Sequence, residues 1–178
     1  MHNEKTLSTE ILYKGSILTL KHCTVELENG ETANREVVEH SGGVAVLAVD
    51  EAENVLFVRQ FRYPYGQELL ELPAGKLEPG EDPAKCGLRE LEEETGFAAE
   101  EYRPFGQIYP TPGYTTEVLH LFLARGLIRT HQHLDEDEFL TVEKIPFQTA
   151  LELCLRGEIK DAKTVVPILK YQLLYRGE

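Results

Sequence analysis

An acidic face on a predicted helix constrains this chain more than any other feature of its sequence. Residues 75–97 read GKLEPGEDPAKCGLRELEEETGF, which predicts a glycine-bearing loop followed by a helix. A helix turns by about 100° per residue, so Glu90, Glu93 and Glu94 lie within roughly 100° of arc. A separate stripe carries the residues expected to reach a core, namely Ala84, Leu88, Leu91 and Thr95.

The clustered carboxylates suit a hard divalent cation. Like charges at i,i+3 and i,i+4 destabilise a helix by roughly 0.2–0.5 kcal/mol per pair. Mg²⁺ prefers carboxylate oxygens, so a cluster kept at that cost indicates a metal site. A run of glutamates taken alone is more often a solvated surface. The spacing of the residues around the run is therefore needed to choose between a solvated surface and a metal site.

Fixed positions around the helix favour the metal site. The pattern G-x5-E-x7-R-E-U-x-E-E-x-G-U, with U a bulky apolar residue, is matched at Gly75, Glu81, Arg89, Glu90, Glu93, Glu94 and Gly96. At roughly one chance in fifteen per position, such a match arises on the order of once in 10⁸ windows. Residues 75–97, here called the signature segment, resemble the signature of the Nudix hydrolase family. Its members hydrolyse a nucleoside diphosphate linked to another group.

Length and composition narrow the class of protein. A chain of 178 residues suits one domain, or one domain with a small extension. The net charge of −13 argues against nucleic-acid binding, which needs a basic surface. No apolar run approaches the roughly 18 residues of a membrane span, and the first residues lack a signal-peptide core. Three widely spaced cysteines indicate reduced thiols, so we expect a cytoplasmic protein. From the charge and the absence of a long apolar run, we expect no nucleic-acid partner and no membrane partner.

Strand and helix signals are mixed along the chain, which predicts an α+β protein. Strands are expected within residues 11–39, with a hairpin turn at Asn29-Gly30. Further strands are expected near residues 44–49, 55–62, 68–72, 105–109, 118–124 and 139–142, and helices near residues 147–155 and 162–174. Asp82 with Pro83 predicts the start of the acidic helix, and Gly96 predicts its end. Asp161 is expected to cap the last helix.

The resemblance implies an α/β/α sandwich with a mixed central sheet. Residues 1–40 would form a strand-rich N-terminal extension, and residues 41–178 would form the Nudix hydrolase domain. In ADP-ribose pyrophosphatase-like members such an extension helps to build a dimer. The resemblance therefore implies a homodimer as well.

Matching positions also imply roles within the signature segment. The expected ligands of Mg²⁺, or of Mn²⁺ in its place, are Glu90, Glu94, the backbone carbonyl of Ala74 and, directly or indirectly, Glu93. Arg89 is expected to orient the glutamates by ion pairing. Gly75 and Glu81 are expected to set the loop geometry, Glu81 alternatively through a water-mediated metal contact.

The signature segment has no obvious general base. In ADP-ribose-type members a glutamate on a later loop does this work, and residues 134–139 (LDEDEF) lie where that loop should be. Glu136 and Glu138 are both candidates, and the sequence does not choose between them. A solvated acidic turn is the alternative interpretation. His131 and His133 are expected at the surface rather than as ligands.

Shorter motifs bear on the substrate. The segments YPTPGYTTE, ELPAGK and DAKT resemble those of the ADP-ribose pyrophosphatase subgroup. Matching positions place Arg35, Arg59, Arg62, Pro112 and Glu117 near the substrate, with Arg35 reaching it from a partner subunit. A guanidinium group binds phosphate well through paired hydrogen bonds. The alternative role for each arginine is a surface ion pair.

The leading hypothesis is Mg²⁺-dependent hydrolysis of ADP-ribose to AMP and ribose 5-phosphate. One alternative is another nucleoside diphosphate derivative, such as GDP-mannose, as the substrate. A second alternative is a regulator that binds ADP-ribose without hydrolysing it.

Overall fold

The computed structural model describes residues 2–134 and 138–176. Its strands are β1 (Lys5–Lys14), β2 (Leu18–Glu26), β3 (Thr32–His40), β4 (Gly43–Ala48), β5 (Asn54–Arg62), β6 (Gln67–Glu71), β7 (Ala74–Lys76), β8 (Phe97–Ile108), β9 (Leu119–Arg129) and β10 (Leu140–Pro146). Its helices are α1 (Pro83–Thr95), α2 (Phe147–Leu155) and α3 (Ala162–Tyr171), and α3 continues into a π-helical turn at Gln172–Arg176. No helix of the described residues is long and apolar enough to span a membrane.

The chain separates into two compact units. The first runs up to Gly42 and also contains Tyr109–Val118, and the second comprises Gly43–Ile108 and the described residues from Leu119 onward. In the first unit β1, β2 and β3 form an antiparallel sheet in that order. Gly30, with a φ of 83°, lies in the predicted turn between β2 and β3. Large apolar side chains are exposed on β1 and β2: Leu7, Ile11, Leu12, Tyr13 and Leu18.

The second unit contains a mixed sheet and a smaller antiparallel sheet. The mixed sheet has the order β7-β4-β9-β8, with β4 and β9 parallel and the other pairs antiparallel. The antiparallel sheet has the order β10-β5-β6. All six residues of β4 are buried, as the apolar run predicted.

Alternate residues of β4 contribute to two separate cores. Ala45 and Leu47 pack with side chains of α2 and α3, whereas Val44 and Val46 pack with side chains of α1. Neighbouring side chains of a strand point to opposite faces, so helices cover both faces of the mixed sheet. This arrangement confirms the predicted α+β class and the α/β/α sandwich.

The caps of α1 agree with the sequence. Asp82 accepts hydrogen bonds from the backbone N–H groups of Ala84 at 2.7 Å and Lys85 at 3.3 Å, and Gly96 ends the helix with a φ of 70°. The cap predicted at Asp161 is wrong in one respect. Asp161 does precede α3, but its carboxylate accepts a hydrogen bond from the Thr164 hydroxyl at 2.6 Å rather than from a backbone N–H.

The buried face of α1 is rotated from the one predicted. Leu88 is 39% exposed, whereas Gly87 and Leu91 are buried. The reason lies in Gly87, where a Cβ atom would stand 2.1 Å from the Tyr102 hydroxyl oxygen. The absent side chain lets the Tyr102 ring approach, so this side of the helix faces the sheet.

Strand β8 is much longer than predicted. It begins directly after Gly96 and pairs with β9 from Phe97↔Arg129 to Ile108↔Leu119. Its first half carries neighbouring charged residues, Glu100 and Glu101, and so lacks the alternation that identifies a strand in a sequence. The first half of β8 therefore forms because it pairs with β9, and its own sequence pattern does not predict a strand.

Candidate functional site

Strand β7 and helix α1 bring the carboxylates of the signature segment against a backbone turn. An ideal Cβ atom built on Gly75 would lie 1.9 Å from both the carboxyl carbon and one oxygen of Glu90. Any side chain at position 75 would therefore displace the Glu90 carboxylate. Glycine at this position lets that carboxylate lie directly against the backbone.

Glu94 is the most buried carboxylate of α1, with 1% of its surface exposed. One of its oxygens accepts a hydrogen bond from the backbone N–H of Ala74 at 2.9 Å. Burial raises the pKa of Glu94 well above its usual value, and the charges of Glu138 and Glu90 add to the effect. Removal from water destabilises the charged form, and the Ala74 N–H and the charge of Arg62 do not compensate for this loss.

Burial also raises the pKa of Glu90, to about 7, although the neighbouring Arg89 opposes the shift. Arg89 contacts Glu90 at 2.9 Å and Glu93 at 2.8 Å through one nitrogen, Nη1. Its other nitrogens donate to both carboxylate oxygens of Glu81, at 3.0 and 3.2 Å. A single guanidinium thus links the loop before α1 to two glutamates of the helix.

Glu81 itself closes the loop. It accepts a hydrogen bond from the backbone N–H of Glu78 at 3.0 Å, in addition to the two from Arg89. These hydrogen bonds, chiefly that of Arg89, lower the pKa of Glu81 to about 2. The loop geometry expected of Glu81 therefore corresponds to specific contacts.

The carboxylates of α1 are the candidate donors for a metal ion. Among the described residues, no group of three or more His, Cys, Asp or Glu side chains already converges as a metal site. The contacts give a reason, because Arg89 attracts Glu90 and Glu93 while the Ala74 N–H holds Glu94. Half-buried Glu90 and buried Glu94 nevertheless fit a divalent cation, since burial raises the pKa of each carboxyl and a bound cation would stabilise the charged forms.

A cavity of about 530 Å³ opens beside these groups. We call it the signature cavity, and its lining residues are Gln60, Arg62, Ala74, Gly75, Lys76, Glu78, Pro79, Arg89, Glu90, Glu93, His133 and Glu138. His131 and His133 are exposed, as expected; His133 also lines the cavity, and its backbone N–H donates to the Glu93 carbonyl at 2.9 Å. The cavity therefore brings together the signature segment, β5 and the segment before β10.

Of the two candidate bases, Glu138 lines the signature cavity. It accepts a hydrogen bond from the Gln60 side chain at 3.4 Å, and its charge raises the pKa values of Glu90 and Glu94. Glu136 lies outside the described residues. Both assignments as the base stay predictions.

The two arginines of β5 have different surroundings. Arg62 lines the signature cavity and forms a two-pronged ion pair with Glu71, at 2.8 and 2.7 Å. Arg59 does not line it; Arg59 pairs with Glu143 of β10 and lines a second hollow with residues of β6. Side chains alternate along a strand, so Gln60 and Arg62 share a face that Arg59 does not. A role for Arg59 in substrate binding stays a prediction without support from this cavity.

The remaining predicted substrate residues belong to the first unit. Arg35 pairs with Glu4 on the exposed sheet. Glu117 lies 3.6 Å from His40, and its backbone N–H contacts the Thr115 hydroxyl. Pro112 lies in the same segment, Tyr109–Val118. Their proposed contacts with a substrate stay predictions.

Sequence reasoning missed a buried group that supports Arg62. Glu71 is 1% exposed and pairs with both Arg62 and Lys163. Thr164, which is fully buried, accepts a hydrogen bond from the Leu72 backbone N–H at 2.9 Å. The ELPAGK motif contains Glu71 and the DAKT motif contains Lys163, but the sequence does not show that these two side chains are in contact.

Comparison with known protein families agrees with this geometry. Residues 39–166 match the NUDIX domain, and residues 4–38 match the nucleoside diphosphate sugar hydrolase N-terminal domain. The chain belongs to the Nudix hydrolase family. Nudix hydrolases generally use divalent metal ions, which agrees with the fit of Glu90 and Glu94 to such an ion.

Named Nudix relatives cover most of the chain. An ADP-ribose pyrophosphatase of Bacillus subtilis is 43% identical over 96% of this chain and 93% of its own length. A methanol dehydrogenase activator of Bacillus methanolicus is 40% identical, with 97% and 95% covered, and a GDP-mannose pyrophosphatase of Salmonella paratyphi B is 34% identical, with 93% of each covered. A crystal structure of an ADP compounds hydrolase is 21% identical and covers 97% of this chain and 94% of its own, with a TM-score of 0.84. At that identity the last similarity supports the Nudix fold alone.

Proposed function

We propose that this Nudix hydrolase cleaves the diphosphate of ADP-ribose, with Mg²⁺ as its cofactor, to give AMP and ribose 5-phosphate. The observation that carries the proposal is the placement of Glu90 and buried Glu94 against the backbone of β7, beside a cavity that Arg62 also lines. A diphosphate needs positive charge at its oxygens and an activated water molecule. The cavity combines a place for a cation with a guanidinium.

Each group of the signature cavity has a distinct task in this proposal. Glu90, Glu94, the Ala74 carbonyl and Glu93 would hold the divalent ion, which neutralises phosphate oxygens and acidifies water when bound. Arg62 binds the diphosphate through donors that Glu71 leaves unused. Glu138 or Glu136 accepts the proton from the attacking water at a carboxylate oxygen. The water oxygen joins one phosphorus atom as the bridging P–O bond breaks.

Two observations favour ADP-ribose over GDP-mannose as the substrate. The segment YPTPGYTTE resembles the ADP-ribose pyrophosphatase subgroup, and the Bacillus subtilis relative of that name is more similar than the GDP-mannose pyrophosphatase, at 43% against 34% identity. Neither observation concerns a base-specific contact. Hydrolysis of GDP-mannose is therefore the competing outcome.

A substrate panel tests the proposal. The purified protein is incubated with ADP-ribose, GDP-mannose, other nucleotide sugars and dinucleotides, in Mg²⁺, Mn²⁺ or EDTA. Phosphate released from the products by an added phosphatase reports turnover, and chromatography identifies AMP. We expect the highest kcat/KM with ADP-ribose and no turnover in EDTA. A higher kcat/KM with GDP-mannose would overturn the substrate, and tight binding of ADP-ribose without product would favour the regulator.

We also propose that the first unit mediates a homodimer. Its sheet exposes Leu7, Ile11 and Tyr13, and burying apolar surface of this kind favours association. Arg35 on the same sheet would then reach the substrate of the partner subunit. Light scattering should give twice the chain mass of 20.2 kDa. A monomer that retains full activity would contradict both the dimer and the role of Arg35.

A further inference from the structure

A buried glutamate beside the signature cavity is shared by two cations. Glu71, at the end of β6, accepts hydrogen bonds from Nε and Nη2 of Arg62 and from the ammonium of Lys163. The Glu71 side chain is 2% exposed and that of Lys163 is 13% exposed. Arg62 is more open, at 36%, and lines the cavity. Of these three groups, Arg62 is the one that lines the site.

The geometry of this contact links the orientation of Arg62 to that of Glu71. In a two-pronged pair the guanidinium and carboxylate lie in one plane, so the carboxylate plane sets the guanidinium plane. The final torsion of a glutamate side chain is broad and does not fix that plane by itself. A third partner on one oxygen can fix it, and Lys163 contacts the same oxygen, Oε2, that Arg62 Nη2 contacts.

Lys163 is itself held by the first turn of α3. Its ammonium lies 3.1 Å from Asp161 Oδ1, while the other oxygen of Asp161 accepts a hydrogen bond from the Thr164 hydroxyl. Thr164 in turn accepts the Leu72 N–H, next to Glu71. The start of α3 therefore contacts the end of β6 through a charge and through a hydroxyl.

We propose that Glu71 and Lys163 are positioning residues that fix the Arg62 guanidinium for the substrate diphosphate. Lys163 acts through Glu71 and does not touch the substrate. The inference rests on the proposed function, because it needs a substrate with a diphosphate. It assigns the DAKT motif a task in substrate binding that none of its side chains performs by direct contact.

A double-mutant cycle tests this inference. KM and kcat are measured, with the best substrate of the panel, for Lys163→Met, Arg62→Lys and the double variant. Arg62→Lys keeps one cation against Glu71, so the double variant does not leave a bare charge in the interior. Lys160→Met is the matched control, because it removes the same charge from an exposed side chain that lines the second hollow with Arg59. Lys163→Arg tests rescue by a cation.

We expect Lys163→Met to raise KM about 10-fold with kcat changed less than about 3-fold, and to raise it less than about 2-fold when Arg62 is already lysine. Lys163→Arg should restore most of the affinity, and Lys160→Met should leave KM unchanged. Equal increases in KM in both backgrounds would overturn the inference, as would a loss of thermal stability with KM unchanged. Lys163→Gln replaces the methionine variant if that variant does not fold.

Failure of the proposed function has a different signature. If no compound of the panel is turned over, the proposed hydrolysis is wrong, and calorimetric affinity for ADP-ribose in EDTA replaces KM in the same cycle. Additive effects on that affinity would overturn the positioning role independently. Turnover with additive effects on KM would overturn the positioning role and leave the hydrolysis intact.

Discussion

Two glutamates of the second unit, Glu71 and Glu94, are equally buried and have opposite electrostatic surroundings. Each is 1% exposed. Burial acts to raise the pKa of Glu71, but Arg62 and Lys163 outweigh it and leave that pKa below its usual value. Burial raises the pKa of Glu94 well above its usual value, because the Ala74 N–H and the charge of Arg62 do not offset the cost.

Glu71 is an example of a buried charge that is neutralised within the chain, whereas Glu94 is an example of a buried charge that a bound cation would stabilise. Glu71 has its cations within the chain, so its charge stabilises a fixed arrangement. Glu94 has a backbone donor and the charge of Arg62 in its favour, and two carboxylates, Glu90 and Glu138, that repel its charge. An unpaired buried charge is costly unless the group stays protonated or a cation is supplied. Burial alone therefore does not indicate a metal ligand, whereas burial of a carboxylate with no ion pair among the described residues, as for Glu94, favours one.

The largest expected effect distinguishes these two carboxylates directly. Glu94→Gln should lower kcat about 10³-fold by removing a metal ligand, since a metal site of this kind supplies several kcal/mol. Its stability in EDTA should not fall, because the charge was under-compensated. Glu71→Gln should lower the free energy of unfolding by about 3 kcal/mol, because it leaves two cations against a neutral group. Turnover assays and urea denaturation measure the two effects.

The control for this pair is Glu92→Gln, which removes a carboxylate of α1 that is exposed. It should change neither turnover nor stability by a measurable amount. The comparison fails if Glu94→Gln is the more destabilised variant in EDTA, or if it turns over substrate at the unmodified rate.

The second prediction concerns the carboxylates that add negative charge to the cavity. If Glu138 is the base, Glu138→Gln should lower kcat about 10²-fold while Glu136→Gln changes it little. Glu138→Gln should also lower the pKa of Glu90, since the charge of Glu138 contributes to raising it. Turnover assays measure the loss of kcat, and the pH dependence of kcat/KM measures the change in the pKa of Glu90. A large loss in the Glu136 variant alone would assign the base to Glu136 instead.

Local patterns in the sequence predicted α1 and its surroundings well. The caps at Asp82 and Gly96 and the carboxylates along one face depend on neighbours within a few residues, which a single sequence displays. The network of Arg89 with Glu81 and Glu93 is also local, so the expected ion pairing has matching contacts. Periodicity and spacing were sufficient for these features, but not for the buried face of α1, which depends on the approach of Tyr102 to Gly87.

Contacts between distant segments were not predictable in the same way. Glu71 and Lys163 are 92 residues apart in the chain, and no pattern shows that the end of β6 meets the start of α3. The separation of Arg59 from Arg62 is different, because it follows from a local pattern. Alternation along β5 would have paired Arg62 with Gln60, since the strand was predicted correctly and its two faces follow from it.

The third prediction perturbs the cation site without touching a charge. Gly75→Ala places a Cβ atom where the Glu90 carboxylate lies, so Glu90 must move. We expect the Mg²⁺ concentration for half-maximal activity to rise about 10-fold, since displacing one of several ligands weakens a metal site. Gly80→Ala is the matched control for added volume, because no atom lies within 4 Å of a Cβ built there, although its φ of 79° adds local strain. An unchanged Mg²⁺ requirement in Gly75→Ala would contradict the placement of Glu90.

The smallest expected effect is a pH dependence of stability that has opposite signs for the two kinds of carboxylate. Below pH 4.5, Glu90 and Glu94 are protonated in both the folded and unfolded states. As the pH rises from 4.5 through about 7, the unfolded chain releases a proton that folded Glu90 retains, so the folded state loses stability. Glu94 shifts in the same direction. Glu71 behaves in the opposite way, because its stabilisation is complete above 4.5 and is lost only as the pH falls through its lowered pKa.

Between pH 5 and pH 8, an interval of about three units above the ordinary pKa of a carboxyl, thermal unfolding in EDTA should therefore occur at progressively lower temperature. Saturating Mg²⁺ should restore most of the loss at the alkaline end, because the cation binds the deprotonated carboxylates and metal binding releases protons. The variant carrying both Glu90→Gln and Glu94→Gln should show neither the slope nor the response to Mg²⁺. The chain has a net charge of −13, and repulsion between its charges could also lower stability as the pH rises. The double variant keeps all but two of these charges, so it distinguishes general repulsion from the effect of Glu90 and Glu94. A slope that survives in the double variant would mean that these two carboxylates are already compensated, and that the contrast with Glu71 is one of contacts alone.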